Sequence, residues 1–416
     1  MPKAKADVLV IGGGVIGVSL ALELARRGVG VAVVDRGRIG HGSSYGNAGW
    51  LTPSFAYPLP APGVLGESLR WLLDPESPLY IKPSMSPTLA QWLWRFVRKM
   101  NRRDYERGVE ALVPLSKYSL GAYKALDDEF PGTFGFAQSG LLVVAESTAG
   151  LASAARHAEH MAHHGLGGRV MNAAEVRAFE PAVSGPIVGG VFLPGEAQVE
   201  PLAVVETMAR AAETAGARFA PGVEVFDFVT AGGRVVEVRT TAGPLQAEQF
   251  VLAAGAWSMA LARKLGVSAP VLGGKGYAVV VETFSEAPRV PIKPIERRLA
   301  ITPRADSVRF GGTLELVDAD ESISPRRVAA IMRGSRAVLG LEAEPVVREV
   351  WRGLRPCTPD GLPIIGRPGA WSNLTIATGH QMLGLHSAPG SARLTADIIL
   401  GAAPTFDPQP FRPGRF

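Results

Sequence analysis

One segment near the start of the chain restricts most strongly what this protein can fold into. Residues 7–11 form a β-prone run that is apolar without a break after Asp7, as expected for a parallel strand that is buried on both faces. The sequence G-x-G-x-x-G follows at 12–17, a helical pattern continues to Arg27, and a second apolar run at 31–34 ends at Asp35. This order predicts a βαβ unit that binds a dinucleotide.

Each part of the motif has a chemical role. Gly12 permits the tight turn, Gly14 lets the backbone approach a pyrophosphate, and Gly17 allows close packing of helix on strand. The start of the helix offers unpaired N–H groups and a partial positive charge to the phosphates. Asp35 would accept hydrogen bonds from ribose hydroxyls. The motif does not separate NAD from FAD, and an empty Rossmann-like turn is the alternative.

The residues after Asp35 favour a flavin. The loop at 36–50 is rich in glycine and also contains hydroxyl side chains and an asparagine. Such a loop could wrap a cofactor and lay its backbone against a flat ring. Composition alone leaves an ordinary structural loop as the alternative.

The loop at 42–49 resembles the G-[ST]-S-x-x-N-A-G element of the FAD-dependent D-amino acid oxidase-like family, in particular its bacterial D-amino acid dehydrogenase branch. Further segments resemble that family in the same order along nearly the whole chain. They are the second FAD strand and turn at 251–258, the K-G-Y element at 275–277, the G-L-R-P-x-T-P-D-G signature within 351–361, and the G-H-x-x-x-G loop within 378–384.

The resemblance implies FAD as the cofactor, and it implies which residues bind it. Val225 would offer its backbone to the adenine. The expected FAD-binding residues are Gly12, Gly14, Val15, Ile16, Gly17, Asp35, Arg36, Ser43, Ser44, Asn47, Ala48, Gly49, Val225, Ala254, Gly255, Trp257, Gly379, His380, Met382, Leu383 and Gly384.

The one cysteine bears on how FAD is held. The sarcosine oxidase branch attaches FAD through a cysteine several residues before T-P-D, whereas Cys357 directly precedes Thr358. We therefore expect noncovalent FAD. A single cysteine also excludes an intrachain disulfide and a cysteine cluster, and no metal site is expected.

Arg355 is the residue expected to bind the substrate. A guanidinium holds a carboxylate through two parallel charge-assisted hydrogen bonds, and the arginine of this motif does so in the resembling family. The alternative is a structural arginine paired with Asp360 or another acid. Arg352 is nearby in sequence and could be mistaken for the substrate-binding arginine. The tyrosine pair of the eukaryotic oxidases is missing at 296–300, so Tyr277 is taken as a substitute.

The resemblance implies hydride transfer from the substrate Cα to flavin N5, with no protein nucleophile. The loop at 379–384 directly precedes a helix, whose N–H groups would stabilise negative charge on the reduced flavin. His380 and His386 flank this loop, and either could titrate near neutral pH. A hydrogen-bonded loop histidine is the alternative for both.

The predicted fold is α/β, or α+β overall, with a Rossmann-like FAD-binding domain and an inserted antiparallel-sheet substrate domain. Both domains are discontinuous, because dinucleotide-type patterns return late in the chain. The FAD-binding domain is expected at 1–56, 195–272 and 346–416, and the substrate-binding domain at 57–194 and 273–345.

Charge and hydropathy bear on location. The chain has 43 basic and 38 acidic residues, which gives a net charge of +5 and a pI near 9.4. Its arginines are scattered along the sequence, and this favours a solvated basic surface over a nucleic-acid site. No targeting or transmembrane segment is expected. An amphipathic helix opened by Ser86 and Pro87 is interpreted as packed on its own domain, with a membrane surface as the alternative. We expect a cytoplasmic protein, with peripheral contact to the inner face of the membrane left open.

These features together predict an enzyme that oxidatively deaminates D-amino acids to 2-oxo acids and ammonia and passes electrons to a quinone or another carrier. A glycine, sarcosine or hydroxyproline-type secondary amine oxidase or dehydrogenase is one alternative. A non-catalytic flavin-binding partner subunit is the other.

Overall fold

The computed structural model of the protein describes residues 6–62, 79–81, 86–317 and 320–416. The expected domain segments 1–56, 57–194 and 273–345 therefore include residues that lie outside the described part. The strands of the described chain are β1 (Ala6–Ile11), β2 (Val31–Asp35), β3 (Trp50–Leu51), β4 (Leu79–Ile81), β5 (Leu141–Ala145), β6 (Arg169–Asn172), β7 (Gly189–Leu193), β8 (Ala197–Gln198), β9 (Arg218–Pro221), β10 (Val225–Ala231), β11 (Arg234–Thr240), β12 (Gly243–Leu245), β13 (Ala247–Leu252), β14 (Leu272–Glu282), β15 (Ile292–Pro294), β16 (Ala300–Pro303), β17 (Ser307–Val317), β18 (Val347–Cys357), β19 (Ile364–Gly366) and β20 (Leu374–Thr378).

The α-helices of the same residues are α1 (Val15–Arg26), α2 (Pro87–Arg98), α3 (Arg102–Glu129), α4 (Thr148–Ala162), α5 (Ala173–Phe179), α6 (Pro201–Thr214), α7 (Ser258–Lys264), α8 (Pro325–Leu339) and α9 (Gly384–Leu400). Short 3-10 turns lie at Pro53–Phe55, Gly255–Trp257, Gln409–Phe411 and Pro413–Arg415.

The first sheet has the order β19-β20-β13-β1-β2-β9, and all its strands are parallel except the edge strand β19. Its central strand β1 is buried on both faces: Val8 and Val10 contribute to one apolar cluster with α1 and α9, and Leu9 and Ile11 to another. This two-sided burial explains the unbroken apolar run in the sequence. The predicted Rossmann-like sheet is confirmed.

The second large sheet has the order β18-β14-β17-β16-β15-β5-β7-β6, with β4 paired to β17. It is antiparallel except for the β15–β5 and β4–β17 pairs. One of its faces is covered by α8, which packs against Tyr277 and Phe310 in a buried apolar cluster. The other face turns toward the loop that follows β2.

One expected domain boundary needs correction. The sequence predicts that the segment from 346 onward belongs to the FAD-binding domain, but β18 pairs with β14 along its whole length, from Leu272–Cys357 to Val281–Val347. Residues 347–357 are therefore part of the second sheet. The remainder of the domain division stays a prediction.

Helix α9 contains a proline, and another helix compensates for it. Pro389 has no N–H, so the carbonyl of Leu385 loses its partner within the helix. The buried hydroxyl of Tyr123, on α3, donates to that carbonyl at 2.7 Å. This bond fixes the first turns of α9 against α3.

Candidate functional site

A cavity of about 640 Å³ lies at the carboxyl ends of β1, β2 and β13 and reaches β18. This is where an open parallel sheet binds ligands. Many of the residues expected to bind FAD line it: Gly12, Gly14, Val15, Ile16, Asp35, Arg36, Ser43, Ser44, Asn47, Val225, Ala254, Gly255, Trp257, His380 and Gly384. The others do not: Gly17, Ala48, Gly49, Gly379, Met382 and Leu383.

The turn at 12–17 forms a backbone cradle in which Gly12 and Gly17 have no room for a side chain. Gly12 has φ +115°, and a Cβ there would lie 2.4 Å from the carbonyl oxygen of Ala253. A Cβ at Gly17 would lie 1.9 Å from the carbonyl oxygen of Gly12. Gly17 therefore acts through packing beneath the turn. The cradle and the start of α1 fit the pyrophosphate of a dinucleotide such as FAD.

Asp35 fixes the shape of this turn. Its Oδ2 accepts from the N–H of Gly13 at 2.7 Å, and its Oδ1 accepts from the N–H of Gly37 at 2.8 Å. A carboxylate has about four acceptor positions, so capacity for the hydroxyls of a ribose remains.

The loop at 43–50 connects the two sheets. Ser44 Oγ accepts from the N–H of Val15, at the start of α1, at 3.0 Å, and Ser43 donates to the carbonyl of Leu354 on β18. Further along, Arg309 on β17 donates to the carbonyl of Asn47 at 2.6 Å, and Thr302 on β16 donates to the carbonyl of Ala48 at 2.9 Å. The loop thus contacts strands β18, β17 and β16 of the second sheet.

These contacts account for Ala48 and Gly49, which bond to their neighbours through the backbone. Gly49 has φ +83°, and a Cβ there would lie 2.3 Å from the carbonyl oxygen of Val199. Its N–H donates to Asn47 Oδ1 at 2.9 Å. These residues shape the loop without lining the cavity.

A chain of charged groups borders the cavity on another side. The Arg36 guanidinium lies 4.0 Å from the centre of the Trp257 ring. Its Nη2 is 3.8 Å from Glu321 Oε1, and Glu321 Oε2 is 2.7 Å from Arg352 Nη2. Glu321 therefore links the end of β2 to β18. Nothing in the motifs pointed to Glu321, because its role depends on contacts distant in sequence.

The loop before α9 brings His380 to the cavity wall. His380 Nε2 lies 3.0 Å from Ser391 Oγ, and its buried Nδ1 has no partner among the described residues. Burial lowers the pKa of His380 to about 3 and that of His386 to about 4. Titration near neutral pH, which the sequence left open for both, is therefore not expected.

The other residues of this loop differ in exposure. Gly384 lines the cavity at the start of α9, whose N-cap residue Leu383 makes no side-chain cap. Gly379 has φ +81°, and a Cβ there would lie 2.5 Å from Thr358 Cγ2. Met382 is 46% exposed. Gly379 thus shapes the turn, and Met382 faces solvent.

Arg355 is a partly buried guanidinium without a counter-ion in the described chain. Its Nη1 donates to the carbonyl of Thr313 at 2.8 Å, and burial lowers its pKa. Asp360 instead binds Arg415 at 2.6 Å. The alternative of an Arg355–Asp360 pair is therefore wrong, and the Arg355 fork keeps donors for a ligand. Arg355 does not itself line the 640 Å³ cavity, but its neighbours Leu354 and Pro356 do.

The glycine of the K-G-Y element, Gly276, lies directly against the Arg355 guanidinium. A Cβ at Gly276 would lie 1.9 Å from Arg355 Nη1, so the guanidinium occupies the space above that residue. Lys275 and Tyr277 flank Gly276 and point to the opposite face of the strand. There the Tyr277 hydroxyl donates to Glu315 at 3.0 Å, and the ring is 1% exposed. The expectation that Tyr277 contacts substrate is not supported by this placement.

The carbonyl that orients Arg355 comes from an irregularity in β17. The β14–β17 register shifts between Lys275 and Tyr277, and Thr313 adopts φ +66° there. A bulge of this kind redirects the backbone next to a site. The sequence carries no signal for it, because Thr313 is neither glycine nor asparagine.

The described residues contain neither a membrane-spanning helix nor a group of metal ligands. Across 6–62, 79–81, 86–317 and 320–416, no helix is both long and apolar enough to cross a bilayer. Over the same part of the chain, no three His, Cys, Asp or Glu side chains are grouped so that they could ligate a metal ion.

The comparisons with known proteins agree with one another. The family model described as FAD dependent oxidoreductase (DAO) matches residues 7–398. The D-amino acid dehydrogenase of Granulibacter bethesdensis is 31% identical over 96% of this chain and 97% of its own, and that of Methylobacterium nodulans is 34% identical over 95% and 96%. The glycine oxidase of Geobacillus kaustophilus superposes with a TM-score of 0.80 at 26% identity, over 99% of each chain. The chain therefore belongs to the DAO family of FAD-dependent oxidoreductases.

Proposed function

We propose that this protein is an FAD-dependent dehydrogenase that oxidises D-amino acids to 2-oxo acids and ammonia. The observation that carries the proposal is Arg355, a partly buried guanidinium beside the cofactor cavity with no carboxylate partner in the described chain. A buried cation without a counter-ion favours an anionic ligand. The relatives named D-amino acid dehydrogenase support the choice of substrate.

The residues of the chain would orient the substrate. The bond from Arg355 Nη1 to Thr313 holds the guanidinium plane, which leaves further N–H groups for both oxygens of an α-carboxylate. A fixed carboxylate limits how the Cα–H can be presented, and such positioning supplies much of the rate enhancement in reactions of this kind. When bound, FAD supplies the acceptor for the hydride from Cα. The resulting imine is hydrolysed by water to the 2-oxo acid and ammonia.

Other residues would hold the cofactor and its charge. The turn at Gly12 and the start of α1 would bind the pyrophosphate, and Asp35 the ribose. The uncapped N–H groups at the start of α9, next to Gly384, would stabilise negative charge on the ring. Burial raises the pKa of the Cys357 thiol to about 12, which supports noncovalent attachment because a thiol is a poor nucleophile.

The test is an absorbance spectrum of the purified protein, followed by anaerobic addition of amino acids. We expect a yellow protein that is bleached by D-alanine, D-proline or D-phenylalanine and not by the L-enantiomers. Bleaching only by glycine, sarcosine or hydroxyproline would move the function to the secondary-amine branch. A yellow protein that none of them reduces would favour a non-catalytic partner subunit.

The electron acceptor in this proposal is a quinone or another carrier, reached at the cytoplasmic face of the membrane. Helix α2 supports membrane contact, because Trp94 is 58% and Val97 47% exposed, and Arg95 and Arg98 lie in its last turn. Co-sedimentation with anionic vesicles should fall with added salt and in a Trp94→Ala variant. Reduction of a soluble quinone analogue faster than of oxygen would distinguish a dehydrogenase from an oxidase.

A further inference from the structure

On the face of the second sheet that turns toward loop 43–50, four neighbouring positions have small residues. Ala278 on β14 lies opposite Gly311 on β17, and Gly311 lies opposite Ala300 on β16. Gly276 is two positions from Ala278 on β14 and shares its face. We call these four residues the small-residue floor. Gly311 and Ala300 are partly exposed, whereas Gly276 and Ala278 are buried.

Two cationic side chains, Arg355 and Lys293, lie at the two ends of this floor. The Arg355 guanidinium covers Gly276 at one end. At the other end, the pairing of Ile292 with Ile301 sets Lys293 beside Ala300 on the next strand, β15. Strand alternation places Lys293 on the same face as Ala300, opposite the apolar cluster that contains Ile292.

Lys293 has no carboxylate partner in the described chain. Its Nζ lies 4.8 Å from the centre of the Phe55 ring and 5.9 Å from that of Trp50. Burial, together with the nearby Arg298 charge, lowers the pKa of Lys293 to about 8. His157, which stacks on Phe55, adds no negative charge. Two partly buried cations without a counter-ion favour anionic ligands on this face.

Another cation of the same face is already engaged. Arg309 is 4% exposed beneath loop 43–50, where it donates to the carbonyl of Asn47 at 2.6 Å. Within the described residues, Arg309 is therefore bound to the loop, whereas Arg355 and Lys293 have no carboxylate partner; Arg298 adds positive charge near Lys293.

We propose that the small-residue floor binds dicarboxylic amino acids, with the α-carboxylate on Arg355 and the second carboxylate on Lys293. The proposal rests on the proposed function and narrows its substrate class. Three strand steps separate β14 from β15, which is about 14 Å at the usual strand spacing. The long side chain of Lys293 covers part of that distance, so the ligand needs several methylenes between its carboxylates.

The test uses inert ligands on the FAD-loaded enzyme. Glutarate, adipate and pimelate are titrated against monocarboxylates of equal length, and the shift of the flavin absorbance gives each dissociation constant. We expect the best dicarboxylate to bind about tenfold more tightly than its monocarboxylate, because a charged hydrogen bond is gained. The length at which affinity peaks reports the distance between the two cations.

Variants assign the effect to one residue. Lys293→Met should reduce the affinity for the dicarboxylate to that for the monocarboxylate. Lys293→Arg should keep the preference for the dicarboxylate. Lys124→Met, at an exposed position on α3, should leave both affinities unchanged. Equal affinity for the two ligand classes in the unmodified enzyme would overturn the proposal, as would an unchanged preference in Lys293→Met. Bleaching by neutral D-amino acids tests the proposed function separately, since it does not need Lys293.

Discussion

At the scale of single residues, Gly276 determines whether Arg355 can occupy its position. In a Gly276→Ala variant the new Cβ would lie 1.9 Å from Nη1, so the guanidinium must move. We expect KM for an amino acid substrate to rise about tenfold or more, with FAD content unchanged, because only the carboxylate contact is disturbed. Steady-state kinetics and the flavin absorbance measure the two effects. Gly195→Ala is the matched control, because nothing lies within 4 Å of its Cβ position. Equal KM values in the two variants would contradict the conclusion that Gly276 makes room for the Arg355 guanidinium.

The shape of the Arg355 side chain matters as well as its charge. Arg355→Lys keeps a cation but loses the planar fork that binds both oxygens of a carboxylate. We expect KM to rise by about one to two orders of magnitude, with the protein still yellow. Arg103→Lys, at an exposed position on α3, is the control. Unchanged kinetics in Arg355→Lys would remove the carboxylate assignment.

The sequence identified Arg355 but could not resolve its surroundings. The motif placed Asp360 close by in sequence, yet that carboxylate binds Arg415, 55 residues away. The K-G-Y element predicts Tyr277 as a substrate contact, but Tyr277 points to the face of β14 opposite Arg355. Which face a residue occupies depends on pairing with distant strands, and one sequence does not contain that information.

At the scale of elements, the first turns of α9 depend on a hydroxyl from α3. Tyr123→Phe removes the donor to the Leu385 carbonyl that Pro389 leaves without a helix partner. A buried unsatisfied carbonyl costs about 1–3 kcal/mol, so the free energy of unfolding should fall by about that amount. Denaturant titration measures the loss. Tyr118→Phe, at a more exposed position on the same helix, should be close to neutral, and a similar loss in both variants would count against the bond.

The buried His386 on α9 makes stability depend on pH. Its folded pKa of about 4 lies below the ordinary value of 6.5, so the unfolded chain takes up a proton first as pH falls. Its contribution is fully present above pH 6.5 and is lost as pH falls from 6.5 toward 4, about 2 kcal/mol of it by pH 5. Thermal unfolding at pH 7.5 and pH 5 should show a smaller drop for His386→Gln than for the unmodified protein. Equal drops would indicate that His386 is not held neutral.

Elements with strong local signals were predicted closely. Helix α1 ends at Arg26, one residue before the end of the predicted helical pattern, and Gly28 follows with φ +77°. Helix α2 begins at Pro87, and Ser86 Oγ accepts from the N–H of Leu89. The boundary at 346 failed because the local pattern of β18 does not reveal which sheet the strand joins.

At the scale of the whole molecule, the cavity proposed to bind FAD lies where the two sheets meet, and groups distant in sequence connect the sheets at its border. Loop 43–50 makes one connection between the sheets. The Arg36–Glu321–Arg352 chain makes another, and its three side chains line the cavity. Arg352 holds Glu321 twice, through the side chain at 2.7 Å and through the backbone carbonyl at 2.6 Å. Removing the Glu321 charge should therefore loosen this border without unfolding either sheet.

We expect Glu321→Gln to release FAD about two- to fivefold faster than the unmodified protein, since partly exposed ion pairs contribute up to about 1 kcal/mol each. Recovery of FAD fluorescence after dilution measures the release rate. Added salt should accelerate release from the unmodified protein and have less effect on the variant, because screening weakens the same contacts. Glu342→Gln removes an equal charge at an exposed position away from the cavity and should leave the rate unchanged. If Glu321→Gln releases FAD at the unmodified rate at low salt, the sheets are held around the cofactor by loop 43–50 without help from this chain of charges.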